Sequence, residues 1–97
     1  MIWQIRIHHL VLSEDFINLP KTDKEMVLKT IRKRLAVDPE AYEPLTGQFK
    51  GYWRLRAGDY RVVYRIVKDE ILVFVIKVGI RRDDQVYLEL IKRLNKI

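Results

Sequence analysis

Residues 51–64 read Gly51-Tyr52-Trp53-Arg54-Leu55-Arg56-Ala57-Gly58-Asp59-Tyr60-Arg61-Val62-Val63-Tyr64. Two runs rich in aromatic and β-branched residues flank Gly58-Asp59, the pattern of a β-hairpin whose two-residue turn uses glycine for positive φ. A turn of that length fixes the register. Ala57 opposes Tyr60, and with a side-chain period of two Arg56 opposes Arg61, Arg54 opposes Val63 and Tyr52 opposes Arg65. One face therefore collects Tyr52, Arg54, Arg56, Arg61 and Arg65, and the other collects Trp53, Leu55, Tyr60, Val62 and Tyr64. The second set is what a sheet lays against helices. Like charges set opposite each other cost about 0.2–1 kcal/mol per pair, so the arginine face needs a reason. A phosphate partner supplies one, because guanidinium groups offer rigid bidentate donors that stay charged at every relevant pH. The structural alternative is that the guanidinium groups splay apart in water and pair with carboxylates from elsewhere.

Outward from the hairpin, three strand-like runs at about 49–57, 60–67 and 71–78 are separated by Gly58-Asp59 and Lys68-Asp69-Glu70, which predicts an antiparallel meander. Before it, residues 38–47 turn to Pro, Glu, Gly and Thr and read as a loop. At the start, Trp3, Ile5 and Ile7 alternate with Gln4, Arg6 and His8, so residues 2–8 are expected to form a first strand. Ser13 offers an N-cap for a short helix that Pro20 stops. Thr22-Asp23-Lys24-Glu25 matches a capping box, with Val27, Leu28, Ile31 and Leu35 at helical spacing behind it as far as Asp38-Pro39. Lys24, Lys29, Arg32, Lys33 and Arg34 on the other face read as a solvated face, with direct phosphate contact as the alternative. A terminal helix is expected over 83–95, with Val86, Leu90 and Leu94 on one stripe and Tyr87 and Ile91 beside it. The expected class is α+β: an N-terminal strand, two helices, a three-strand antiparallel meander and a C-terminal helix, with residues 1–97 forming one compact domain.

Composition narrows the functions. The chain has 97 residues, a formal charge of +6 and no cysteine. Thiolate zinc sites, disulfides and cysteine nucleophiles are excluded. His8 and His9 lack a ligand-spaced carboxylate and are expected at the surface, at the end of an outer strand; no metal or other cofactor is expected. The longest apolar run, Ile71 to Ile76, is far below the ~20 residues of a bilayer span. The first residues lack the order of a signal peptide, which points to the cytoplasm. Trp3 and Trp53 have inward phase. Tyr52 and Tyr87, set among basic residues, are candidates for stacking on unpaired RNA bases. A +6 chain also invites an acidic partner, and a segment that folds on binding can cover an arginine face and its strand edges.

The run from Leu45 to Tyr64, with its Gly-Tyr-Trp-Arg-Leu-Arg and Gly-Asp-Tyr-Arg-Val-Val-Tyr segments, strongly resembles the RelE branch of the RelE/ParE toxin superfamily. The resemblance continues from Val73 to Tyr87, where the family places an arginine six residues before a tyrosine that opens the last helix. It implies a RelE-like fold and a type II toxin that cuts mRNA in the A site of the 70S ribosome without a metal, by attack of a 2′-hydroxyl on the adjacent phosphate. It further implies an acidic, RelB-like antitoxin. The residues that match the family's functional positions are Arg54, Arg61, Arg81 and Tyr87. Arg61 and Arg81 would stabilise the charge that builds on the phosphorane. Tyr87 would stack on or orient a base, and Arg54 with Arg56 would grip the backbone, with Tyr52, Arg65 and Arg82 as further RNA contacts. The structural alternatives are an ion pair of Arg81 with Asp83 or Asp84, and core packing for Tyr87. Three positions depart from the family pattern: Tyr52 and Arg54 stand where the best-studied members carry lysines, and Ile80 stands where many carry histidine. Arginine does not give up its proton, so Arg54 is a poor general base and the sequence identifies none. The rival readings are a ParE-like poison of DNA gyrase that does not cut RNA, and a toxin that has lost its activity.

Overall fold

The computed structural model describes residues 2–80 and 85–96. Its centre is a five-stranded sheet in the order β1-β5-β4-β3-β2, with β1 at Gln4–Ile7, β2 at Glu43–Pro44, β3 at Tyr52–Ala57, β4 at Tyr60–Val67 and β5 at Leu72–Ile80. β3, β4 and β5 form the antiparallel meander. β1 closes one edge parallel to β5, and the two-residue β2 closes the other. The hairpin register is the one expected, with Ala57 opposite Tyr60, Arg56 opposite Arg61, Arg54 opposite Val63 and Tyr52 opposite Arg65. At its turn Gly58 has φ +58°, and a Cβ there would lie 2.8 Å from Met26 Cε, so both the turn and the approach of the next helix require glycine.

Helices cover the two faces. α1, Lys21–Thr30, continues into a π-type segment over Ile31–Leu35 and buries Val27, Ile31 and Leu35 against Leu55, Ala57, Tyr60, Val62 and Tyr64. Trp3 and Trp53 pack against this main core. α2, Gln85–Lys96, lies on the opposite face, where Leu90 meets Val63 and Ile76. The second core exists because of a β-bulge. Val63 pairs with Lys77 but Tyr64 pairs with Val75, so Ile76 is an extra residue in β5. The bulge turns Lys77 out of the main core and brings Val78 into it.

Several boundaries differ from expectation. The first strand spans 4–7 rather than 2–8. The segment after it is already helical at His9, and its π-type part runs over Val11–Asp15, closed by a hydrogen bond from the Phe16 N–H to the Val11 carbonyl. Ser13 therefore sits inside the turn and caps nothing. α1 begins at Lys21, one residue before the expected box, with the Pro20 carbonyl accepting from the Lys24 N–H. Pro20 is the N-cap residue, with ψ 148° outside the helical region, so the helix starts at the residue after it. Asp23 is instead bound by the Tyr60 hydroxyl at 2.7 Å, which ties α1 to the hairpin tip and raises the Tyr60 pKa. In the expected loop, β2 pairs with β3.

Candidate nucleic-acid interface

The hairpin register brings Arg54, Arg56 and Arg61 to one face, and α2 crosses that face with Tyr87 in its first turn. The Tyr87 hydroxyl accepts a hydrogen bond from Arg54 Nη1 and lies 3.5 Å from Arg61 Nη1. The Arg61 guanidinium carbon is 5.7 Å from the centre of the Tyr87 ring, within cation–π range. A phenol is thus fixed between two guanidinium groups. The Phe49 ring lies 5.7 Å from the Tyr87 ring, tilted by 35°.

Glu43 completes the arrangement. β2 sets it opposite Arg54, and its carboxylate pairs with Arg54 Nη2. That hydrogen bond, then the guanidinium charge, holds the Glu43 carboxyl below its ordinary pKa, and the same bond raises the Arg54 pKa. Arg54 is thereby stretched between an anion and a phenol, which fixes its plane. Among the described residues, neither Arg56 nor Arg61 has a carboxylate within salt-bridge distance. Tyr42, Glu43, Arg54, Arg56 and Arg61 line a cleft of about 350 Å³. Beside it a groove of about 470 Å³ runs along Pro44, Leu45, Thr46, Phe49, Tyr87, Leu88 and Ile91 and shares Glu43 and Arg54 with the cleft.

Of the residues singled out from the sequence, Arg54, Arg56, Arg61 and Tyr87 come together here. Tyr52 packs half-buried against the core beneath α2, and the exposed Arg65 stands four residues along β4 from Arg61, roughly 13 Å at strand rise. Arg81 and Arg82, with Asp83 and Asp84, lie outside the described residues. Glu43 and Phe49 were not singled out. A two-residue strand has no periodicity to find, and the signal for Glu43 is only an acidic residue before Pro44 in a loop. His8 and His9 stack on each other 4.4 Å apart beside Phe74, away from the cleft. No group of three or more His, Cys, Asp or Glu among the described residues is placed to hold a metal ion, and no helix is long and apolar enough to cross a membrane.

Comparison with known proteins gives this geometry a family. The family described as "ParE toxin of type II toxin-antitoxin system, parDE" matches residues 13–85. The chain belongs to the RelE/ParE toxin superfamily. Relatives within it are RelE proteins: the mRNA interferase toxin RelE of Escherichia coli is 44% identical over 41 residues, 42% of this chain and 43% of that protein. The match thus spans less than half the length of that curated relative. The structural likeness is wider. A substituted E. coli toxin RelE in the free state superposes with a TM-score of 0.70 at 30% identity, covering 97% of this chain and 99% of that one. The RelBE2 toxin-antitoxin complex of Mycobacterium tuberculosis gives a TM-score of 0.78 at 25% identity, covering 86% and 95%. The RelE-RelB complex of the archaeon Pyrococcus horikoshii gives 0.64 at 27%, covering 84% and 98%. Toxins bound to RelB antitoxins are therefore among the structural neighbours of this superfamily member.

Proposed function

We propose that this chain, as a single domain over residues 1–97, is a type II toxin of the RelE kind: a cytoplasmic, metal-independent endoribonuclease that cuts mRNA in the ribosomal A site and is silenced by an acidic, RelB-like antitoxin. The observation that carries the reading is the Tyr87 hydroxyl held between Arg54 and Arg61 at a cleft where, among the described residues, Arg56 and Arg61 have no carboxylate within salt-bridge distance. In the proposed step the 2′-oxygen of one nucleotide bonds to its 3′-phosphorus and the 5′-oxygen of the next nucleotide leaves, giving a cyclic phosphate and a 5′-hydroxyl. Arg61, with Arg81, stabilises the doubly charged phosphorane, because fixed cations in place before the reaction need no reorganisation during it. Arg54 and Arg56 grip the backbone, and Tyr87 orients a base. Water takes the 2′-hydroxyl proton and supplies a proton to the 5′-oxygen, while Glu43, the one carboxylate lining the cleft among the described residues, holds Arg54 and is a weak base because that pairing lowers its pKa. Tyr52, Arg65 and Arg82 stand as outer RNA contacts.

A second reading, a toxin acting on DNA gyrase by protein contact, is favoured by the ParE description of the matching family. One experiment separates them: a defined mRNA is incubated with the protein, with and without programmed ribosomes, and 5′ ends are mapped. Cleavage on ribosomes that falls about 10²–10³-fold in Arg61→Ala, the usual scale for loss of one charge-stabilising donor, supports the nuclease. Growth arrest in cells without cleavage in any condition supports the gyrase reading.

A further inference from the structure

The most heavily buried charges lie outside the cleft. Asp15, Lys77 and Arg93 have side chains only 1%, 7% and 4% exposed. The Asp15 carboxylate accepts four hydrogen bonds: Arg93 Nη1 and Nη2 at 2.6 and 2.9 Å, Lys77 Nζ at 2.8 Å and the Val78 N–H at 2.9 Å. Those four occupy the full acceptor capacity of a carboxylate. Arg93 Nη1 also donates to the Ile76 carbonyl at 3.1 Å, and Nη2 donates to Glu14 at 2.8 Å, while Lys77 donates to Glu89 at 3.2 Å.

The placement has a clear backbone logic. β1 covers the edge of β5 only as far as Val75, where the His8 N–H donates to the Val75 carbonyl. Beyond that point the Ile76 carbonyl and the Val78 N–H face no strand, and the Arg93–Asp15 pair meets both groups as a neighbouring strand would. The pair therefore joins three elements at one point: the Val11–Asp15 turn, the bulged end of β5 and the last half of α2. Burying such a network costs desolvation that apolar side chains avoid, so its return is a defined geometry more than added stability. The element so defined is α2, whose first turn is set independently by contact of Val86 with Gly79, where a Cβ would lie 2.7 Å from Val86 Cγ2.

We propose that Asp15, Lys77 and Arg93 are positioning residues for Tyr87: the clamp fixes the rotation and axial register of α2 and thereby holds the phenol between Arg54 and Arg61. Arg93 lies six residues, about 9 Å along the helix axis, from Tyr87 and touches no part of the cleft. Its reach is through the helix, which two anchors on β5 prevent from turning. The catalytic consequence rests on the nuclease reading; the geometric one does not.

The test labels the protein with 3-fluorotyrosine, assigns the Tyr87 ¹⁹F resonance with Tyr87→Phe, and compares Arg93→Lys with the apolar triple Asp15→Leu/Lys77→Met/Arg93→Met. Lysine keeps a charge near Asp15 but cannot fork to it and to Ile76, and the triple variant keeps the fold without a stranded charge. The expected result is a shifted or broadened Tyr87 resonance in both, with Tyr42, Tyr60 and Tyr64 on the far face unmoved, and ribosomal cleavage at least tenfold slower, with no further loss on adding Tyr87→Phe. An unmoved Tyr87 resonance in either folded variant overturns the proposal, as does a full additional loss from Tyr87→Phe. If no protein cleaves RNA, the nuclease reading fails and the ¹⁹F result still decides the clamp.

Discussion

Gly79→Ala is the substitution by which α2 can be moved with the fewest atoms. An ideal Cβ at Gly79 lies 2.7 Å from Val86 Cγ2 and 3.1 Å from Val86 Cβ, so ordinary contact, which begins near 3.4 Å, requires a retreat of roughly 0.7 Å. Valine cannot rotate this away easily, because both atoms belong to a β-branched side chain whose rotamer the helix restricts. Val86 is buried, so the backbone of α2 must lift. Overpacking of this kind costs about 1–3 kcal/mol. For a domain of this size each 1 kcal/mol lowers Tm by about 4–8 °C, so thermal unfolding followed by circular dichroism should show a fall of about 5–20 °C. Tyr87 follows Val86 directly, and on the proposed nuclease reading a misplacement approaching 1 Å should cost up to about 10²-fold in cleavage rate. Val86→Ala in the same chain removes the Cγ2 atom and should recover much of the activity and part of the stability, a non-additive pair. A Gly79→Ala protein that melts within 1 °C of the parent and cleaves at the parent's rate would refute the close approach of α2 to β5.

Two further outcomes follow from buried polar groups. Tyr64 is fully buried and donates to the Pro39 carbonyl at 2.6 Å, and Tyr64→Phe should cost about 1–3 kcal/mol, read as a lower urea midpoint at unchanged slope. His8 has a lowered pKa, chiefly through burial and then through the charges of His9 and Arg93, and its Nδ1 accepts from the Leu10 N–H, which fits only the neutral ring. Its contribution is therefore whole above the ordinary pKa of 6.5 and is lost as the pH falls through the lower folded value. Stability should decline on acidification from pH 6.5, and His8→Asn should flatten that slope; an equal slope in the variant would place the titration elsewhere.

The sequence was most legible where structure is decided by neighbours in the chain. The Gly58-Asp59 turn admits one register, and that register alone assembled Arg54, Arg56 and Arg61 on a face, since a strand's period leaves no other choice. The same rule failed one strand later. Strict alternation through β5 would have sent Lys77 to the side of Val73 and Val75, and only the extra residue at Ile76 turns it toward α2. Nothing in the run Val75-Ile76-Lys77-Val78 marks a bulge. Capping signals failed for a related reason: Ser13 and Thr22 carry suitable side chains, but Pro20 starts α1 earlier and Asp23 is drawn to Tyr60, so tertiary contacts reassigned the termini.

What remained hidden depends on distance along the chain. Glu43 reaches Arg54 through a two-residue strand, and Asp15 reaches Arg93 across 78 residues. Each of these carboxylates reads locally as an ordinary surface acid. Their partners differ in kind, and the difference explains the site. Glu43 is exposed and open to water, so its pairing with Arg54 is weak enough to yield when a phosphate competes. Asp15 is sealed from solvent with its acceptor capacity filled, so it cannot exchange partners without stranding two buried cations. The chain thus places its exposed charge pair at the cleft and its buried one where α2 meets the end of β5.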